Sequence, residues 1–254
     1  MRRENQGRGA PARCDYIRFV RKSVILAAGR GTRMAGLTAD RPKAMLPLRN
    51  RPMLELILER LRLAGFLEIL VVTGYRAEMI EEHFAVDSPA LRFRRQEELN
   101  GTARAALLAR EFTGAEPFLL TFGDILTGVE DYRAMARMLE EDAAAEAVLA
   151  AKWVEDPWQG AAVYEDRGVV TRIVEKPVRG ASTTHWNSAG SYCFRASIFE
   201  ELERVPLSPR GEYELTSAIE QLLARRVRVL LCGLHGGWRD VGRPEDLEEA
   251  EGMV

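Results

Sequence analysis

Ser23-Val24-Ile25-Leu26-Ala27-Ala28-Gly29-Arg30-Gly31-Thr32-Arg33-Met34 is a short apolar run that breaks at once into glycines and arginines. Six consecutive small or apolar residues before a glycine suit a strand buried on both faces that ends in a tight loop. Two glycines two residues apart let a backbone turn sharply and bring its N–H groups against phosphate oxygens, and Arg30 and Arg33 add positive charge beside them. A plain strand-to-helix turn would look the same from this loop alone. The stretch is not a Walker loop, because Gly-Lys-Ser/Thr is missing, and it is not a dinucleotide fingerprint, because Met34 stands where the third glycine belongs.

Outward from this loop the chain alternates. Pro52 precedes Met53, Leu54, Ile57, Leu58 and Leu61 at helical spacing. Strands are expected at Leu67–Thr73, Leu91–Arg95 and Phe118–Phe122, with helices near Ala77–Phe84 and Ala103–Arg110 between them. The second expected strand ends in Thr73-Gly74-Tyr75-Arg76, with no acidic residue to hold a ribose, which disfavours a dehydrogenase. Later runs at Ala147–Ala151, Ala161–Tyr164, Val169–Val174 and Ala189–Phe194 are less regular and predict some antiparallel pairing. Helical patterns return at Tyr213–Ala224 and from Pro244, on either side of a strand candidate at Val227–Cys232. The expected fold is α/β: one Rossmann-like, three-layer domain on a mixed, mostly parallel sheet.

The chain has 254 residues, 46% hydrophobic and 29% charged, with a formal net charge of −2. That length suits one catalytic domain, and the charge gives no sign of a nucleic-acid or anionic-membrane partner. Cys14, Cys193 and Cys232 are too few and too scattered for a disulfide framework or a zinc site; they fit a reducing cytoplasm, with Cys193 and Cys232 as small core residues. No apolar run approaches the roughly 18 residues of a membrane span, and no hydrophobic stretch follows the basic N-terminus to make a secretory signal. Residues 1–18, rich in Arg, Gly, Pro and Asn, read as a mobile tail, leaving 19–254 as the catalytic domain.

Leu26-Ala27-Ala28-Gly29-Arg30-Gly31-Thr32-Arg33-Met34 followed by Arg41-Pro42-Lys43-Ala44-Met45-Leu46-Pro47 resembles the signature of sugar nucleotide pyrophosphorylases, the sugar-1-phosphate nucleotidyltransferases. The resemblance extends over essentially the whole structured chain, from about Ser23 to Glu249. It implies a nucleotide-binding half at about 19–125 and a sugar-binding half at about 126–254. It implies that Arg33 and Lys43 bind the triphosphate and stabilise the leaving pyrophosphate, with Leu26, Ala27, Ala28, Gly29, Gly31 and Thr32 lining the nucleotide site. Gln96 and Gly101-Thr102 resemble the segment that contacts a pyrimidine base; a polar helix start capped by Thr102 is the alternative. Asp124, in Gly123-Asp124, and Asp240, in Trp238-Arg239-Asp240-Val241-Gly242, resemble the two metal-binding aspartates, which implies Mg2+ as cofactor. Gly160, Glu175, Lys176, Asn187 and, in Glu212-Tyr213-Glu214, the carboxylate of Glu214 resemble the sugar-binding set, with Lys176 meeting the sugar phosphate.

This set suits phosphoryl chemistry, in which repulsion between two polyanionic substrates is the main obstacle and no protein nucleophile is required. The scattered histidines His83, His185 and His235 and the absence of a serine or cysteine beside an evident base agree. The expected substrates are a nucleoside triphosphate, UTP or dTTP, and a hexose 1-phosphate. The alternatives are GTP with mannose or heptose 1-phosphate, a non-catalytic nucleotide-sugar-binding subunit, and a cytidylyltransferase for a non-sugar phosphate. A homo-oligomer stays open. Two features depart from the family pattern: the leader before Phe19 is long, and Asn100 stands where an apolar residue or proline is commoner. With no extension after the last helix in this sequence, the second, acyltransferase domain of some relatives is not expected.

Overall fold

The computed structural model describes residues 20–34, 36–85 and 90–253; the tail at 1–18 and Cys14 lie outside them. In chain order its elements are β1 (Lys22–Leu26), β2 (Pro47–Leu48), β3 (Arg51–Pro52), α1 (Met53–Ala64), β4 (Glu68–Thr73), α2 (Ala77–His83), β5 (Leu91–Arg95), α3 (Thr102–Leu107), α4 (Arg110–Thr113), β6 (Phe118–Phe122) and β7 (Ile125–Thr127). They continue with α5 (Val129–Glu141), β8 (Ala145–Trp153), β9 (Ala161–Asp166), β10 (Val169–Glu175), β11 (Trp186–Phe194), α6 (Ile198–Arg204), α7 (Leu215–Ala224), β12 (Arg228–Gly233), β13 (Trp238–Asp240) and α8 (Glu245–Glu251).

One nine-stranded sheet carries the fold, in the order β5-β4-β1-β6-β11-β8-β12-β10-β9. From β5 to β6 all neighbours are parallel, as the strand–helix alternation predicts. β11 then runs antiparallel to both β6 and β8, and β10 runs antiparallel to β12 and β9. The sheet is therefore mixed but not mostly parallel as expected: among the described residues four of its pairings are parallel, β8 with β12 being the fourth, and five are antiparallel, counting β11 with β9. The antiparallel pairs fall in the second half, where the apolar runs lose their regular spacing.

Alternate residues of the central strands feed two separate cores, one on each face. Ile25, Val71, Leu119, Val148 and Cys193 point to the face covered by α1 and α5. Val24, Leu26, Val72, Leu120 and Leu149 point to the face covered by α3, α6 and α7. A strand buried on both faces has no polar side to alternate with, which is why β1 reads as a continuous apolar run. Helix α1 buries Met53, Leu54, Ile57, Leu58 and Leu61 and stops at Gly65, whose φ of 106° is the left-handed C-terminal conformation that glycine favours. Cys193 and Cys232 are buried, as expected, and burial pushes both thiols up, Cys232 to about 11. No helix among the described residues is long and apolar enough to cross a membrane.

Several local expectations shift. Strand β1 ends at Leu26 rather than Ala28: Ala27 still donates to Val72 O, but the chain is already leaving the sheet toward the loop. The helix expected at Ala103–Arg110 is two pieces, α3 and α4. Tyr213 is not helical; its N–H donates to Asn100 O and its carbonyl accepts from Ala103, so it is held as a strap against α3. Helices α5 and α6 had no counterpart in the sequence reading, although Tyr132, Met135, Ala136 and Leu139 carry the helical period in α5.

Candidate active site

Ligands in open α/β sheets bind beyond the carboxyl ends of the strands, where neighbouring connections leave in opposite directions. Here β1 and β6 are neighbours, and the loops after them face each other. Gly123, following β6, donates to Leu26 O, and a Cβ on it would lie 2.9 Å from Ala27 Cβ. A cleft of about 430 Å3 opens between these loops. Leu26, Ala27, Ala28, Gly29, Gly31, Thr32, Gln96, Gly101 and Thr102, all expected at a nucleotide site, line it together with Arg33, Lys43 and Asp124. Ala105, Phe122 and Glu212 also line it and were not foreseen.

The glycine loop is fixed from below. Met34, the residue that breaks the dinucleotide pattern, is fully buried and anchors the loop in the core, while Gly29, Arg30, Thr32 and Arg33 stay exposed. Gly31 has φ 66°, its carbonyl accepts from Thr38 Oγ1, and a Cβ there would meet Lys43 Cβ at 3.0 Å. The loop and the lysine are thus packed as one unit.

Lys43 sits on a 3-10 turn (Lys43–Met45), is 8% exposed, and its Nζ donates to Asp124 Oδ2 at 2.5 Å. Asp124 lies between β6 and β7. The β7–β13 ribbon pairs Asp240 with Ile125, and Val241 N donates to Asp124 O at 2.9 Å. The two aspartates, distant in sequence, are therefore neighbours. Burial first and the negative charge of Asp124 second raise the Asp240 carboxyl, to about 6 in all, against the opposing charges of Lys43 and Arg33. Two mutually repelling carboxylates beside an arginine and a lysine form a donor set that suits a hard divalent cation, whose remaining ligands would come from phosphate and water. Among the described residues no group of three or more acidic, cysteine or histidine side chains offers an all-protein metal cage.

The expected sugar residues gather in a second cluster that does not line the cleft. Gly160 packs so closely on Asn187 that a Cβ would fall 2.2 Å from Oδ1, and Gly160 O accepts from Lys176 N at 2.7 Å. Glu175 pairs in register with Ala161, and Asn187 with Ala162, across β9. Asn187 Oδ1 is buried and has no donor, and Lys176 takes a left-handed φ of 43°. Glu214 is 8% exposed and bonds to Arg210 Nε at 3.0 Å, and the same guanidinium reaches Glu175 at 3.4 Å. Burial raises Glu175 most; Arg210 opposes this, Glu214 adds repulsion and Lys176 opposes it again. Arg210, which the sequence reading passed over, is the cation that lets two carboxylates share this spot; Arg-Gly-Glu at 210–212 was its only signal. The loop that carries Arg210 also carries Glu212 into the cleft, so it joins the two clusters.

Thr102 does two jobs. It lines the cleft, and its Oγ1 accepts from Leu215 N at 2.9 Å, capping the first residue of α7 rather than its own helix.

The family model for nucleotidyl transferase matches residues 22–254. The chain is 36% identical to the bifunctional protein GlmU of Methanocaldococcus jannaschii over 90% of its own length, and spans about half, 53%, of that relative. It is 35% identical to the UTP–glucose-1-phosphate uridylyltransferase AglF of Haloferax volcanii, over 91% of this chain and 95% of that one. The fold superposes on a UDP-glucose pyrophosphorylase solved with UDP-glucose, with TM-score 0.82 at 23% identity over 92% of this chain and 97% of that one. It also superposes on a UDP-glucose pyrophosphorylase from Acinetobacter baumanii, with TM-score 0.80 at 24% identity over 91% of this chain and 92% of that one. The chain belongs to the nucleotidyl transferase family.

Proposed function

We propose that this chain transfers a nucleoside monophosphate from UTP or dTTP to a hexose 1-phosphate, giving a nucleotide sugar and pyrophosphate. The observation that carries the reading is that Arg33, Lys43 and Asp124 line one cleft beside a glycine loop, while the β7–β13 ribbon holds Asp240, which does not itself line the cleft, next to Asp124. The strand order β5-β4-β1-β6 supports a doubly wound, Rossmann-like nucleotide half, and the cluster around Glu175 and Asn187 supports a sugar half.

In this reading a sugar phosphate oxygen forms a bond to the α-phosphorus while the bond from that phosphorus to the bridging oxygen of pyrophosphate breaks. Two unit charges 4 Å apart in a medium of effective dielectric ~20 repel by about 4 kcal/mol, so the protein must supply opposite charge where the phosphates meet. Arg33 and Lys43 do this for the triphosphate, and Lys176 for the sugar phosphate. Asp124 and Asp240 would hold a Mg2+, which when bound adds positive charge to the phosphate oxygens. Asn187 Oδ1, buried without a donor, fits a sugar hydroxyl, and the Glu175 carboxylate, balanced by Arg210, fits another. A non-catalytic subunit would have no need to keep Lys43, Asp124 and Asp240 together.

The test is pyrophosphate release measured across the common nucleoside triphosphates and sugar 1-phosphates with Mg2+. Release with UTP or dTTP and a hexose 1-phosphate is the expected result. No release with any pair rejects the transferase, and a strong preference for GTP rejects the donor assignment.

A further inference from the structure

Gln96 lines the cleft and is 8% exposed. Its Nε2 donates to Gly101 O at 3.1 Å and to Asn100 Oδ1 at 3.3 Å. A backbone carbonyl can only accept, so this amide must present its nitrogen to Gly101. The carbonyl itself is locked: Gly101 has φ 122°, and a Cβ there would lie 2.3 Å from Tyr213 O. Asn100 is oriented in the same way from its other side, because its Nδ2 donates to Glu98 Oε2 at 3.1 Å and an ionised carboxylate can only accept. The polarity therefore runs in one direction, from Glu98 through Asn100 to Gln96. Both hydrogens of the Gln96 amide are committed, and Oε1, which has no hydrogen-bond partner among the described residues, is the only polar atom it has left for a ligand.

We propose that Asn100, anchored by Glu98, is a positioning residue that locks the Gln96 amide with its oxygen free, so that the cleft accepts a base whose ring nitrogen carries a hydrogen and disfavours one whose ring nitrogen is bare. Uracil, thymine and guanine belong to the first class, cytosine and adenine to the second. An acceptor set against a bare ring nitrogen leaves two lone pairs facing each other in a partly desolvated site, and such a mismatch discriminates more strongly than shape does. The proposal rests on the cleft being a nucleotide site. It gives a role to the polar residue at position 100, where an apolar residue or proline is commoner in the family pattern.

The experiment compares dissociation constants of UTP and CTP by calorimetry, without sugar phosphate, for the parent protein, Asn100→Leu and Glu98→Gln. The parent is expected to favour UTP. Asn100→Leu removes one of the two acceptors that hold the amide, and its CTP/UTP ratio should fall about twofold to twelvefold, the worth of one net hydrogen bond. Glu98→Gln changes only an exposed side chain whose new amide can donate or accept, so Asn100 is no longer forced into one orientation. It should lower the ratio in the same direction by less, with the thermal midpoint unchanged. A purely structural role for Asn100 would leave the Glu98→Gln ratio at the parental value. A parent that binds CTP as tightly as UTP, or binds neither, overturns the proposal, as do variants that keep the parental ratio. Selective binding without pyrophosphate release under any condition would reject the transferase instead and leave this inference standing.

Discussion

Replacing Asp131 by alanine tests how the second aspartate is delivered to the site. Asp131 is 5% exposed in the first turn of α5, and its two oxygens accept His235 N at 3.1 Å and Gly236 N at 3.0 Å. Those residues lead directly into β13, which carries Asp240. The fit is tight, since a Cβ on Gly236 would lie 2.6 Å from Asp131 Oδ2 and one on Gly128 would lie 3.1 Å away. Hydrogen bonds to a charged acceptor contribute about 1.5–3 kcal/mol each, and an acidic residue at a helix N-terminus adds ~0.3–1 kcal/mol. His235 and Gly236 are exposed, so water can replace part of what they lose. The net cost of Asp131→Ala should therefore fall at or somewhat below the low end of the sum, about 2–4 kcal/mol. Urea denaturation should show a lower midpoint with an unchanged slope. The Mg2+ concentration for half-maximal pyrophosphate release should rise several-fold and high Mg2+ should recover much of the rate, because Asp240 is displaced rather than removed. A variant with the parental midpoint and the parental Mg2+ dependence would refute this chain of support.

Asp124→Asn should lower turnover at least ~100-fold, the scale of losing one transition-state charge contact, while circular dichroism stays native. Asp240→Asn should lower turnover similarly, yet the metal-free protein should melt no lower than the parent, because one of two repelling carboxylates has become neutral. Gly101→Ala must place a side chain at φ 122° against the Tyr213 backbone, so a loss of ~1–3 kcal/mol in stability is expected together with weaker nucleotide binding. The Glu81 carboxyl is held below its ordinary range chiefly by Arg95, with Thr73 helping against burial. A depressed acid stabilises the fold above its unfolded pKa and loses that contribution as pH falls through its folded value. Glu81→Gln should therefore melt lower than the parent at pH 7, and the gap should close toward pH 3; a gap that persists in acid would contradict the pairing.

What could be read in advance follows from how local each signal is. A continuous apolar run bounded by glycines specifies β1 and its loop within a dozen residues, and the helical spacing after Pro52 specifies α1 in the same way. The two-piece α3–α4 segment and the strap at Tyr213 depend on which distant carbonyl each N–H meets, so periodicity misplaced both. Helix α5 carries a helical period in its sequence, but what Asp131 does at its start depends on the backbone N–H groups of His235 and Gly236, which meet it only in the folded chain. Arg210 and Asn100 show the same limit: an exposed charge and a loop amide acquire meaning only from the carboxylates and the amide they touch.

By itself the sequence determined the alternation of strands and helices and the glycine loop, because those properties belong to residue types and short spacings, while the resemblance of its motifs to a known family supplied the candidates for phosphate and metal binding. The tertiary structure alone decided that Asp240 lies beside Asp124, through a three-residue antiparallel pairing of β13 with β7. It also decided that Lys43 reaches Asp124 from a separate turn and that the cluster around Glu175 and Glu214 joins the cleft through the Arg210 loop. These contacts close between segments far apart in the chain, and their energy comes from burial and charge pairing that no local window of sequence contains.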